Sequence, residues 1–322
     1  MDCKVAVVIP CYKVKNHILD VISSIKQEVF SIYVVDDKCP EQTGNFVLEN
    51  SNDPRVKVIF HDENLGVGGA VLTGYMAAKK DGHYCAVKLD GDGQMDSSLI
   101  RAFIGPILDC TSDYTKGNRF FNPEDVKAMP LVRTIGNIFL SFMQKLSSGY
   151  WDIFDPTNGY TAINLQLLDM LPLKKISNRY FFESDLLFRL GTINAVVTDI
   201  PMTAIYGDEV SNLKISDVIL KFAGAHIKNT FKRIFYKYYL RDFSVASIEL
   251  PIGLTLFTCG CIFGTLTWWD SIFSSKMASS GTVMLSALPI IIGVQLLLSF
   301  LEYDITTRPT KPVSKSMVKY GK

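Results

Sequence analysis

The chain has 322 residues, 48% of them hydrophobic, with a mean hydropathy of +0.19, which is too apolar for an ordinary soluble enzyme of this length. A formal net charge of +1 excludes the polyelectrolyte signature of a nucleic-acid partner. Seven cysteines without a CxxC pair exclude a disulfide framework and read as reduced packing residues.

In chain order, Lys4–Pro10 is an apolar run closed by proline, which suits a buried parallel strand and is too short for the core of a signal peptide. Ile18–Ile25 has helical spacing, Phe30–Asp37 is a second strand ending in acids, and Arg55–Phe60 a third. Val67–Lys80 reads as a helix and His83–Asp90 as a fourth strand. Strand and helix in alternation imply an α/β fold: a Rossmann-like, mostly parallel sheet with helices on both faces and ligands outside the carboxyl ends of the strands.

The fourth strand runs into "KLDGDGQ", which crowds Asp90 and Asp92 two residues apart with Gln94 after them. In an extended segment those two carboxylates point the same way and can face one cation. Oxygen ligands suit Mg²⁺ or Mn²⁺, which bind through one or two carboxylates plus substrate phosphates. An acidic surface turn has the same residues; the position at a strand end favours the metal. "GVGGAVLTG" (Gly66–Gly74) mimics a dinucleotide-binding loop, but Val71 stands where its third glycine belongs and the stretch follows the third strand, not the first. Its glycines instead suit close approach of helix and strand beside Asn64.

"VVIPCYK", "VVDDKCPEQT", "ENLGVGGAVLTG" and "KLDGDGQ" in this order resemble the successive motifs of family 2 glycosyltransferases with a GT-A fold. The similarity spans roughly residues 4 to 215 and points to the polyprenyl-phosphate branch, related to dolichol-phosphate mannose synthase and bactoprenol glucosyltransferases. The resemblance implies that Pro10, Tyr12, Asp37, Glu41, Asn64 and Asp90 line the nucleotide, and that Asp90, Asp92 and Gln94 hold the metal. "KGNRF" matches a segment whose arginine, here Arg119, faces the phosphates; Arg133 in "PLVRTIGN" matches an arginine that meets the acceptor phosphate. "DPTNGYTAIN" (Asp155–Asn164) resembles the acceptor-side stretch. A plain surface ion pair is the alternative for either arginine. The chain departs from the family where Cys39 replaces a serine, Lys13 an asparagine, and Tyr206 stands near an expected arginine, leaving Lys214 to supply charge to the acceptor phosphate. In "RYFFESDLLF", Glu183 and Asp185 stand where relatives with hydroxyl acceptors place a catalytic aspartate; a helix cap or a sugar-hydroxyl contact suits them equally.

Near the C-terminus, Phe243–Trp269 holds one acid, Glu249, and no base, and Val283–Leu301 holds no charge. Each is long enough to cross a hydrocarbon core of roughly 30 Å. Lys221, Lys228, Lys232, Arg233, Lys237 and Arg241 precede the first stretch, interleaved with Phe222, Ile227, Phe231, Ile234 or Phe235, and Tyr238 at near-helical spacing, as in an interfacial amphipathic helix. Arg308, Lys311, Lys315, Lys319 and Lys322 follow the second. Both flanks being basic places both ends of the chain in the cytoplasm. The expected organisation is a GT-A domain over 1–212, an amphipathic juxtamembrane region over 213–242, transmembrane helices over 243–269 and 283–303 with an external linker 270–282, and a cytoplasmic tail 304–322.

The resemblance implies a multi-pass enzyme of the cytoplasmic (inner) membrane that takes a UDP- or GDP-sugar and a polyprenyl-phosphate acceptor. A hydroxyl acceptor on a lipid-linked glycan, a non-catalytic nucleotide-sugar-binding protein and a homo-oligomer all stay open at this point.

Overall fold

The computed structural model describes residues 3–121, 131–155, 158–203, 215–275 and 277–320. Two compact units divide the chain: residues 1–233 together with 309–322, and residues 234–308.

The first unit is built on a seven-stranded sheet. Its early strands are β1 (Val5–Cys11), β2 (Ser31–Asp36), β3 (Val56–Phe60) and β4 (Cys85–Lys88), alternating with α1 (Ile18–Ser24), α2 (Thr43–Asn50) and α3 (Val67–Lys80). There follow α4 (Ile100–Leu108), β5 (Tyr114–Asn118), α5 (Leu131–Ser148), β6 (Thr161–Asn164), α6 (Phe182–Thr192), β7 (Val197–Pro201) and α7 (Ile215–Phe235). The strand order is β3-β2-β1-β4-β6-β5-β7, parallel except that β6 runs antiparallel to both of its neighbours.

Alternation along β1 feeds two cores. Ala6 and Val8 join Tyr33, Tyr75 and Leu186 on the face covered by α3 and α6, while Val7 and Ile9 join Ile18, Phe103 and Ile104 on the face covered by α1 and α4. The glycines of Gly66–Gly74 serve this packing, as their sequence suggested: a Cβ at Gly74 would meet the side chain of Val8, and one at Gly66, whose φ is +88°, would lie 2.5 Å from the Asn178 carbonyl oxygen.

Two polar devices hold outlying segments to this unit. Asp113, fully buried, accepts the backbone N–H groups of Val196 (2.9 Å), Val313 (2.8 Å) and Ser314 (2.9 Å). It thereby caps the final helix α10 (Val313–Tyr320), so part of the stretch expected as a cytoplasmic tail packs within the first unit. On α7, Arg233 is buried and donates through Nε to the Leu146 carbonyl at the end of α5 (2.9 Å). Of the juxtamembrane bases, this one serves packing.

His226, two turns earlier on the buried side of α7, hydrogen-bonds to Ser147 Oγ (2.8 Å) and packs against the edge of Phe181. Burial pushes its imidazole down to about 4 from an ordinary 6.5. Between those values the unfolded chain binds the proton and the folded chain does not. Stability is therefore complete above pH 6.5 and is lost as pH falls toward 4. The expected loss is about 2 kcal/mol on going from pH 7.5 to 5. His226→Gln should flatten the decline of melting temperature over that window; an identical decline in the variant would show that His226 stays neutral without cost.

The second unit contains a π-helical turn (Tyr236–Arg241) and two long helices, α8 (Val245–Ser274) and α9 (Ser280–Thr306). Both are long and apolar enough to cross a membrane. They extend past the expected limits and leave a shorter connection than 270–282. Small residues let them pack closely: a Cβ at Gly293 would lie 2.6 Å from the Phe257 amide nitrogen, and one at Gly260 3.0 Å from the Ser286 carbonyl oxygen. Glu249 accepts a hydrogen bond from Ser299 Oγ (2.8 Å), and Asp304 accepts one from the Tyr238 hydroxyl (2.6 Å), so these acids are paired within the unit.

Candidate active site

The expected site residues gather at the carboxyl ends of β1, β2 and β4. Tyr12, just past β1, is exposed, and Pro10 is half-buried. Asp36 is buried and accepts the backbone N–H groups of Cys39 (2.7 Å) and Gly44 (2.6 Å), shaping the loop into α2 on which Glu41 is exposed. Asp37 takes the N–H groups of Leu65 (2.8 Å) and Gly66 (2.7 Å) and pairs with His61 Nδ1 (2.8 Å), while Asn64 Nδ2 donates to the Asp37 carbonyl (3.0 Å). Asp37 and Asn64 therefore lie together, with the Asp37 carboxylate holding the loop that leads into α3. Cys39, where it replaces the family serine, is buried and held by hydrogen bonds. Burial raises its thiol, but hydrogen bonds from the Thr43 hydroxyl and from the backbone N–H of Lys13 (3.1 Å) outweigh this and leave it below its ordinary value. Its sulfur thus ties the loops after β1 and β2 together.

β4 ends at Lys88, so Asp90 and Asp92 lie in a turn and not on the extended strand that the sequence suggested. Gly93 supplies the reason, with φ +77°, and the Gln94 N–H donates to Asp92 Oδ1 (3.0 Å) to close the turn. Lys88 is 2% exposed and lies 3.0 Å from Asp90 Oδ1 and 3.0 Å from Glu183 Oε1. Burial would lower its ammonium, but the two carboxylates outweigh that and hold it above its ordinary value, fully charged. Glu183 is thereby drawn toward Asp90. Asp185, two residues on, is buried elsewhere: it accepts the Ser177 N–H (3.0 Å) and Asn229 Nδ2 of α7 (3.0 Å).

The antiparallel strand β6 brings Asn158 and Gly159 to the same place. Arg119 grips Asp155, which is fully buried, through Nε–Oδ2 (2.7 Å) and Nη2–Oδ1 (3.0 Å). Lys116, also fully buried, donates to the Asn158 carbonyl. Burial pushes the Lys116 amine down to about 8. Lys88, Thr161, Lys116 and Asp199 are paired in register, forming one polar row across β4, β6, β5 and β7. Asp199, in that row, is pushed up to about 6 by burial and accepts from Asn118 Nδ2 (2.9 Å). Gly159 lies over the row: a Cβ there would collide with Lys88 Nζ and lie 2.8 Å from Asp90 Oδ2. Arg133 lies on α5 with its side chain outside the described residues, as is all of Lys214.

Among the described residues, no group of three or more His, Cys, Asp or Glu side chains forms a ready metal cluster. The donor set of two carboxylates and the Gln94 amide nevertheless fits a hard divalent cation that keeps other positions for water or diphosphate. The absent side chain at Gly159 lets the backbone there lie against Lys88 and Asp90 Oδ2. Lys88, Lys116 and Gly159 were the residues overlooked in the sequence. The only signal was a lysine inside the apolar run "CAVKL", where a solvated charge has no place.

Three comparisons bear on this geometry. A family model described as "Glycosyl transferase family 2" matches residues 6–171. The chain is 30% identical over 235 residues to the UDP-N-acetylglucosamine–dolichyl-phosphate N-acetylglucosaminyltransferase of Methanococcus voltae, covering 69% of this chain and 93% of that one. It is 25% identical over 206 residues to the polyprenol monophosphomannose synthase of Mycolicibacterium smegmatis, covering 61% and 76%. Among solved structures, glucosyl-3-phosphoglycerate synthase from Mycobacterium tuberculosis, in complex with Mn²⁺, uridine diphosphate and phosphoglyceric acid, superposes with a TM-score of 0.52 at 15% identity. That likeness covers 71% of this chain and 78% of that one and concerns the fold alone.

Proposed function

The chain belongs to glycosyl transferase family 2, and from that premise we propose that it is a metal-dependent, inverting, membrane-bound transferase. It moves a sugar from a UDP- or GDP-sugar to polyprenyl phosphate at the cytoplasmic face. The relatives named above carry dolichyl-phosphate and polyprenol acceptors in their names. The observation that carries the acceptor assignment is an apolar face left uncovered on the catalytic unit. On α5, Ile135, Ile138, Phe139 and Phe142 recur at helical spacing and are exposed; on α7, Ile227 and Phe231 are exposed beside Lys228 and Lys232. The two helices are joined by the Ser147–His226 and Arg233–Leu146 bonds. Apolar side chains flanked by lysines suit the boundary between acyl chains and anionic head groups, where each basic residue adds roughly 1 kcal/mol. A cleft held there meets a lipid phosphate where its head group lies.

The chemistry agrees. A bound Mg²⁺ or Mn²⁺ neutralises the charge that builds on the leaving diphosphate. Asp90, Asp92 and Gln94 hold and orient that charge centre, and the Arg119–Asp155 and Lys116–Asn158 contacts fix the acceptor-side loop against it. A phosphate acceptor carries a charge of about −1.5 to −2 near neutral pH and attacks without a general base. That suits Glu183 and Asp185, both buried in pairings of their own.

The test uses sealed vesicles that expose the cytoplasmic face, supplied with a panel of nucleotide sugars, Mn²⁺ and polyprenyl phosphate, with mass spectrometry of the lipid. Sugar–phosphate–lipid formed without permeabilisation is the expected product; a glycosylated hydroxyl or an unchanged lipid pool would overturn the assignment. The double variant Phe139→Glu with Phe231→Glu should lose about tenfold turnover on vesicle-embedded lipid and little on a short-chain soluble acceptor. Equal loss on both acceptors would remove the apolar face from the argument.

A further inference from the structure

Lys88 ends a strand otherwise made of Cys85, Ala86 and Val87, on the sheet face covered by α3 and α6. A lysine in such a place is costly unless it is paired, and even a buried pair adds little to stability compared with apolar residues of the same volume. The pair must therefore do something else. Its two partners are the first carboxylate of the D-x-D turn and Glu183 of α6, each 3.0 Å away.

We propose that Lys88 is a positioning residue for the metal-binding turn. Its ammonium holds Asp90 Oδ1, which leaves Oδ2 to face the cation, with the backbone of Gly159 packed close beside it; Glu183 is its counter-ion and not a general base. Charge bookkeeping supports the assignment. The +1 of Lys88 and the −1 of Glu183 cancel, leaving Asp90 and Asp92 with the two negative charges that balance one divalent cation. β4 fixes the backbone of Lys88, α6 fixes Glu183, and the Asp185–Ser177 and Asp185–Asn229 bonds pin α6 in turn. Asp90, in a turn with no ladder bonds of its own, receives its orientation from Lys88. Partners of this kind are worth 10–100-fold in metal affinity.

This inference rests on the proposed metal-dependent reaction, and one experiment separates the two. Full-length protein in detergent is titrated with Mn²⁺ in the presence of UDP, reading the free-ion signal by electron paramagnetic resonance. If the wild type binds no Mn²⁺, the metal reading falls and takes this proposal with it. The double variant Lys88→Met with Glu183→Gln removes one charge of each sign, so neither net charge nor an unpaired buried carboxylate confuses the outcome. It should melt near the wild type yet bind Mn²⁺ 10–100-fold more weakly. Lys88→Arg keeps the charge and should bind more tightly than the double variant. Glu183→Gln alone keeps Lys88 on Asp90, so Mn²⁺ affinity should change less than threefold and kcat less than tenfold. Wild-type Mn²⁺ affinity in the double variant would overturn the positioning role. A fall of kcat beyond 10²-fold in Glu183→Gln at unchanged Mn²⁺ affinity would make Glu183 a base and overturn it equally.

Discussion

Asp92→Asn and Asp90→Asn are each expected to lower sugar transfer by at least 10²-fold. The leaving diphosphate gains negative charge as the anomeric bond breaks, and the divalent cation that Asp90, Asp92 and Gln94 would hold would supply counter-charge worth several kcal/mol of the barrier. Replacing one of two carboxylates with a neutral amide weakens the hold on that cation at the moment the charge develops. The two variants should differ in stability. Asp92 lies in the turn with its Oδ1 taking the Gln94 N–H, a bond the amide oxygen of asparagine keeps. Asp90 also neutralises the buried Lys88, so Asp90→Asn leaves that ammonium with Glu183 alone and should lower the melting temperature as well. Transfer assays paired with thermal melts distinguish these outcomes. Full activity of both variants in excess EDTA would remove the metal from the mechanism.

The difference between Asp90 and Asp92 could not be seen in the sequence, where the two carboxylates look equivalent. What could be seen followed from patterning. β1 to β4 and α3 stand where apolar runs and helical spacing put them, because a strand covered on both faces must be apolar throughout. The same logic hid β5 to β7. "YTKGN" is a fully buried strand, yet its lysine, asparagine and glycine read as loop. Its polar groups are satisfied by partners remote in sequence: Lys116 by Asn158, Asn118 by Asp199. Burial of a polar residue depends on a partner that only the fold supplies, and periodicity carries no trace of it. Arg233 and the residues capped by Asp113 were misplaced for a related reason. A basic side chain near a membrane span reads as surface charge until a carbonyl is found for it. Within the site, the acids at strand ends were legible because ligand sites recur there. The cation beneath them and the glycine above them were not.

That glycine gives the second large effect. Gly159→Ala adds one methyl group, yet its Cβ would collide with Lys88 Nζ and come within 2.8 Å of Asp90 Oδ2 and 3.3 Å of Met95 Cε. Lys88 cannot retreat, because it is buried on a β4 residue paired with Val8 and Thr161. Gly159 cannot rise freely either, since Lys116 holds the carbonyl of Asn158 just before it. The strain must fall on Asp90, the least constrained group of the cluster, which moves the carboxylate that is to face the diphosphate. A misplacement of about 1 Å at a reacting centre costs on the order of 10²-fold in rate. Gly159→Ala should therefore lose about 10²-fold in kcat/KM while the chain stays folded, as judged by its melting curve. Gly105→Ala is the matched control: the same methyl group on α4 meets nothing within 4 Å outside its chain neighbours, so it should leave transfer unchanged. If Gly159→Ala transferred sugar as well as Gly105→Ala, Asp90 would have to tolerate displacement, and neither the close fit of Gly159 over Oδ2 nor its orientation by Lys88 could matter to the reaction.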